Sequence, residues 1–265
     1  MKKMVSWGMA VALVAGVASA QTEVTETTIV AENDPSEVSV SAEVALASAY
    51  VWRGHVYNND AVLQPQITLA QYGVSFNIWG NYDIGSNYAG QSSDLSELDL
   101  SLAYTLPFNL EDLSMDVGII NYSYPGVEQD STSEIFVTAS LLTWQQWLIP
   151  SVKVFGGLSD ADGMYVLFDL VAPIQISDEL GLSAGVSAGW GSTSYNDQQW
   201  GGTQDSGWND YNFYCGADYK ILDNLALQAG ITYTMVEGGS IEDGANANYE
   251  NDHKLWGDLN LVYTF

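Results

Sequence analysis

His55 and His253 are the only imidazoles in this chain of 265 residues, and Cys215 is its only thiol. A histidine with an acid nearby, such as His253 beside Asp252 or His55 near Asp60, has the makings of a general base. No nucleophile elbow of the G-x-S-x-G kind accompanies either. A barrel-wall lipase or protease is therefore the weakest functional reading. The chain is read as a non-enzyme, and no catalytic residue is assigned. A lone cysteine excludes an intramolecular disulfide and a Cys-based metal centre. Acids gather in two segments: Asp197, Asp205 and Asp210 around 192–207, and Glu237, Glu242, Asp243, Glu250 and Asp252 around 236–252. Oxygen-rich clusters suit Ca²⁺, but the spacing matches no EF-hand loop, so no metal or cofactor is assigned.

A more regular set of charges is spread along the chain. Glu43, Glu97, Asp99, Asp116, Glu134, Asp169, Asp210, Asp218 and Asp258 stand against Lys153, Lys254 and Arg53. Charged groups lining a conduit select ions by sign. Whether these residues line anything depends on the elements that carry them.

Those elements are strands of period two. In 253–265, Leu255, Gly257, Leu259, Leu261, Tyr263 and Phe265 form one face, and Lys254, Trp256, Asp258, Asn260, Val262 and Thr264 the other. In 181–191, Leu182, Ala184, Val186, Ala188 and Trp190 alternate with glycine and serine. Twelve such segments are expected, at 38–52, 62–71, 73–83, 95–105, 113–124, 132–142, 147–158, 163–172, 181–191, 208–219, 224–235 and 253–265. An even strand count, with connections alternating between short turns and longer polar loops, is the habit of bacterial transmembrane barrels. A β-sandwich would also alternate, but its polar faces would need a solvent side on every strand. The fold class expected is all-β: a transmembrane antiparallel up-and-down barrel.

Strand ends carry amphipathic rings suited to a membrane interface. Tyr104, Trp147, Tyr219, Tyr263 and Phe265 would form the periplasmic girdle, and Tyr50, Trp52, Tyr82, Trp190 and Tyr233 the outer one. By phase, the nine acids and three cations above point inward, as pore-lining candidates. Twelve strands spaced about 4.8 Å and tilted about 40° give a bore of roughly 10 Å inside the side chains. No loop declares itself as an inward constriction. An excess of carboxylates predicts weak cation selectivity. Arg53 could bridge strands as a fixed fork or narrow the conduit.

The chain opens on Lys2-Lys3, an apolar run from Met4 to Val17 and the small-x-small signal Ala18-Ser19-Ala20. This is the layout of a secretory signal peptide over 1–20. Residues 21–36 read as an acidic, flexible periplasmic lead-in, and 37–265 as the barrel. Loss of Lys2 and Lys3 leaves four of the six Lys+Arg against 33 Asp+Glu, a formal charge of −29. A nucleic-acid partner is disfavoured by that charge.

The ending Leu261-Val262-Tyr263-Thr264-Phe265 resembles the C-terminal strand signal of outer-membrane proteins. The resemblance implies periplasmic chaperones and the barrel-assembly machinery as partners, with outer-membrane lipid and lipopolysaccharide around the wall. Ser48-Ala49-Tyr50-Val51-Trp52-Arg53-Gly54, Leu63-Gln64-Pro65 and Gly73-Val74-Ser75-Phe76-Asn77-Ile78-Trp79-Gly80 resemble the TorF-type putative porins over 48–83. That resemblance implies a porin class in the outer membrane of a Gram-negative bacterium. The function expected is passive diffusion of small hydrophilic solutes. A closed barrel with a structural or adhesive role through its loops is the alternative.

Overall fold

The computed structural model describes residues 37–265 except 86–94, 108–112, 126–128, 143–146, 159–162, 202–204, 240 and 245–251. The segments expected as signal peptide (1–20) and acidic lead-in (21–36), with Glu250, lie outside the described residues. Twelve strands close into one antiparallel barrel. They are β1 (Ser39–Ala47), β4 (Val62–Gln71), β5 (Val74–Asp83), β6 (Leu95–Thr105), β7 (Leu113–Ser123), β8 (Thr132–Leu141), β9 (Ile149–Leu158), β10 (Met164–Gln175), β11 (Leu180–Gly191), β12 (Gly207–Leu222), β13 (Leu225–Val236) and β14 (His253–Thr264). Each pairs with its neighbours in sequence, and β1 pairs with both β4 and β14, so no strand edge is left open. Closure satisfies every backbone ladder within the sheet, as a wall surrounded by hydrocarbon requires.

The alternation sorts cleanly across this wall. Val44, Leu46, Leu100, Leu102, Ile119, Ile135, Val137, Phe168, Phe213, Ile231, Leu259 and Leu261 are exposed on the outside. Tyr104, Trp147, Tyr219, Tyr263 and Phe265 are exposed near the end that carries the chain termini, and Tyr82 and Tyr233 near the opposite, loop end. At the terminal end, β4 and β5 are joined by Tyr72 and Gly73 alone, both with positive φ (53° and 78°). This is the two-residue turn that matches strand twist.

The first strand departs from expectation. It ends at Ala47 rather than running to residue 52, and the chain folds into the barrel as a hairpin of β2 (Tyr50–Trp52) and β3 (His55–Asn58). Arg53 (φ 46°) and Gly54 (φ 86°) form its two-residue turn. Tyr50 and Trp52, expected in the outer girdle, are instead inside. Tyr50 is buried against Trp79, and Trp52 packs on Tyr122. The physical reason is that alternation over 50–58 fits a hairpin equally well, and an Arg-Gly pair permits the turn. The segment 192–207, expected as plain loop, contains a helix, α1 (Thr193–Trp200). It is capped by the Ser192 side chain, which accepts from the Tyr195 N–H, and by Gly201 in the left-handed conformation.

Candidate functional site

The inner face of the wall is polar in its amino acids but unevenly filled. Glycine, serine and threonine dominate the inward positions of β11 and the terminal halves of most strands. Near the loop end the inward parity of β7, β9 and β10 presents Tyr122, Phe155 and Tyr165. The β2–β3 hairpin reaches across to these rings, and α1 covers it from the loop end.

Arg53, the only arginine of the chain, stands at the hairpin tip. Its Nη1 and Nη2 donate to the two carboxylate oxygens of Glu134 on β8, at 3.1 and 2.7 Å. β8 lies on the far side of the ring from β1. The guanidinium carbon sits 4.4 Å from the ring centres of Phe155 and Tyr165, 5.6 Å from Tyr195 of α1 and 4.3 Å from its neighbour Trp52. Tyr122 Oη also donates to Glu134, at 2.9 Å. A planar cation held by a two-point carboxylate and several ring faces is a strong, oriented contact.

His55 follows the turn and is fully buried, its ring stacked on Trp200 of α1 with centres 3.7 Å apart. The hairpin carries this ring inward, so it is not an exposed loop histidine. Burial, helped by the charge of Arg53, pushes its imidazole down to about 3. His253 does sit exposed at the rim, with Nδ1 2.5 Å from Asp252 Oδ1.

The other inward residues fall into separate groups. At the loop end, Glu97 accepts from Tyr50 Oη at 2.7 Å, and Asp99 is buried on the same face of β6. Asp210, fully buried, accepts from Tyr165 Oη at 2.8 Å and from Asn212 at 3.1 Å. Lys254 donates to Asn59 beyond the hairpin. Further along, Asp258 accepts from Asn260 at 2.9 Å, Glu43 from Gln66 at 2.7 Å, and Asp169 from Tyr214 Oη at 2.6 Å. Lys153 is on the inward parity of β9, one step from Ser151, which faces Asp169. Asp116 is buried on β7, and Asp218 lies near the terminal end of β12. Arg53, Glu134 and Asp210 converge on the hairpin tip, and Glu97 and Asp99 flank the same hairpin at Tyr50.

Sequence reasoning missed the filling of the lumen: Tyr122, Phe155, Tyr165, Tyr195 and the hairpin itself. A signal existed, since large rings recur on the lipid-avoiding parity, with Trp79, Tyr122, Phe136, Phe155, Tyr165 and Trp256 all buried, and such rings need something to pack against.

Gly54 reports how tightly the tip is seated. A Cβ there would lie 2.9 Å from Asp210 Cβ and from Val236 Cγ2. Its positive φ also strains any other residue. Gly54→Ala is expected to weaken the seat by about 1–3 kcal/mol. Tryptic cleavage after Arg53 in the detergent-solubilised barrel should then be at least about fivefold faster. An unchanged cleavage rate would mean that the tip is not held where it lies.

A family model described as "Bacterial protein of unknown function (Gcw_chp)" matches residues 31–237. A search of curated proteins gives no match. Among solved structures, the chain is similar to the KdgM porin in complex with disordered oligogalacturonate (TM-score 0.53, 9% identity, 86% of this chain and 99% of that one). It is similar to an outer membrane channel from Pseudomonas putida F1 (TM-score 0.53, 11% identity, 86% and 95%). It is also similar to the NanC porin (TM-score 0.52, 8% identity, 84% and 98%). At these identities the shared property is the fold, a closed barrel of the porin kind.

Proposed function

We propose that this chain, which belongs to the Gcw_chp family of bacterial proteins of unknown function, is an outer-membrane channel through which small hydrophilic solutes diffuse. The observation that carries this reading is the wall: twelve closed strands, apolar outside, polar inside and flanked by rings of Tyr, Trp and Phe. Its terminal end faces the periplasm and its loop end the exterior, the habit of bacterial barrels. The resemblance of 48–83 to TorF-type porins lies inside the span of the family match and supports the same class. Lipid and lipopolysaccharide surround the wall, and the C-terminal Phe265 strand serves insertion by the assembly machinery. The solutes meet no catalytic centre on this reading: one histidine is sealed under α1 and the other is a rim residue.

The hairpin makes the conduit narrow. A bore of roughly 10 Å is about the width of one strand pair with its side chains. A hairpin lying across it closes the loop-end mouth for anything but the smallest solutes. Conductance is then set by how often the Arg53 tip leaves its seat.

Inside that mouth, Glu43, Asp116, Asp169, Asp218 and Asp258 outnumber Lys153 on the inward face, so cations are favoured over anions. Planar-bilayer recordings across a KCl gradient test both claims. We expect discrete openings, with K⁺ preferred over Cl⁻ by about twofold or more. Asp116→Asn combined with Asp169→Asn should pull that ratio toward one. Preference for Cl⁻ would overturn the selectivity, and silence of both wild type and an Arg53→Ala variant would overturn the channel.

A further inference from the structure

The seat of Arg53 is built almost wholly by residues outside the hairpin. Glu134 comes from β8, Tyr122 from β7, Phe155 from β9, Tyr165 from β10 and Tyr195 from α1. Glu134, Phe155, Tyr165 and Tyr195 are each buried, and they converge on one guanidinium. Pinning a plug does not need this chemistry. A well-packed apolar tip would hold as firmly, because a buried ion pair repays little beyond its own desolvation. What the arrangement does provide is selectivity for a planar, delocalised cation: two parallel N–H donors to one carboxylate, and ring faces against the guanidinium.

We propose that this cage is a binding site for small organic cations bearing a guanidinium group, and that Arg53 occupies it as a tethered surrogate ligand. A free solute of this class and the hairpin tip compete for the same Glu134 fork. When the solute wins, the tip is displaced and the mouth is cleared. The tether gives Arg53 an effective concentration on the order of millimolar, so free solute competes in that range or above. The binding claim stands on the cage alone, whereas clearing of the mouth rests on the channel reading.

The test uses the full barrel in detergent, with ethylguanidinium as the probe and ethylammonium and NaCl at equal concentration as controls. In Arg53→Ala the cage is vacated. Ethylguanidinium should bind saturably, followed by titration calorimetry, and should raise the thermal midpoint by about a few degrees. Adding Glu134→Gln to Arg53→Ala should abolish both effects. In Arg53→Lys the tip keeps its charge but loses its fork. Displacement by ethylguanidinium, read as tryptic cleavage within the hairpin, should then need at least about tenfold less probe than in wild type. That variant keeps the test valid should the alanine variant fail to fold. Absence of saturable binding, equal response to ethylammonium, or persistence of binding without the Glu134 carboxylate would each overturn the proposal. In bilayers, ethylguanidinium should raise the open fraction of wild type. Binding without any conductance would leave the cage standing and fail the channel reading instead.

Discussion

Replacing Arg53 with alanine is expected to turn a mostly closed barrel into a mostly open one. The change removes both hydrogen bonds to Glu134 and the cation from between Phe155 and Tyr165. It also strands the Glu134 carboxylate in a buried place, where Tyr122 still donates to it. Breaking a buried pair from one side costs about 3–5 kcal/mol. Because the wall is held by its own closed ladders, that cost falls on the inserted hairpin rather than on the barrel. It corresponds to a rise of about a hundredfold or more in the ratio of open to closed mouths. Single-channel recording of the two proteins at equal salt measures it directly. A cycle with Glu134→Ala separates the lock from its side effects. The double variant, with neither charge buried, should close better than Arg53→Ala alone. Equal conductance in wild type and Arg53→Ala would show that the tip does not control the mouth.

The wall was legible because its code is local. Each of the twelve segments announces itself by alternation, and each inward acid follows from the parity of its own strand, as with Asp116 beside Val117 or Asp258 between Gly257 and Leu259. The turn at Tyr72-Gly73 was readable for the same reason. What fills the barrel is a different matter. Alternation says which side chains avoid lipid, and it is silent on whether they meet water or protein. Tyr50 reaches Glu97 across 47 residues of sequence, and Arg53 reaches Glu134 across 81. Neither pairing leaves a periodic trace. The motif Ser48–Gly54 was singled out by resemblance, yet its aromatics were placed in the girdle, since Tyr and Trp at a strand end satisfy that rule too. The distinction lay in Arg53-Gly54, a pair suited to a two-residue turn, and in the rings at Tyr122, Phe155 and Tyr165 waiting on the polar parity. The burial of His55 has the same origin, since the ring goes wherever the hairpin goes.

That displaced histidine is expected to make the proposed mouth sensitive to acid. While the hairpin is inserted, His55 is stacked on Trp200 without access to water, and its imidazole is held from 6.5 down to about 3 by burial first and by Arg53 second. The charge that acts on it is Arg53 on its own hairpin, whose tip is flanked in turn by the Glu134 and Asp210 carboxylates from β8 and β12. Withdrawn into water, the ring regains an ordinary pKa near 6.5. The direction follows from linkage. Above pH 6.5 neither state binds the proton, and the inserted hairpin keeps its full stability. Below 6.5 the withdrawn state gains a proton that the inserted state refuses until about pH 3, so insertion weakens steadily through that window. At pH 5 the loss is about 2 kcal/mol, or roughly thirtyfold in the open-to-closed ratio. The contribution of His55 is read as a difference between two proteins. His55→Phe keeps a flat ring against Trp200 and removes the titration. Between pH 6.5 and 5 the wild-type open fraction should climb while that of His55→Phe stays nearly level. Parallel curves for the two proteins would mean that the proton acts elsewhere in the barrel, and that the hairpin leaves its seat, if at all, with His55 still neutral.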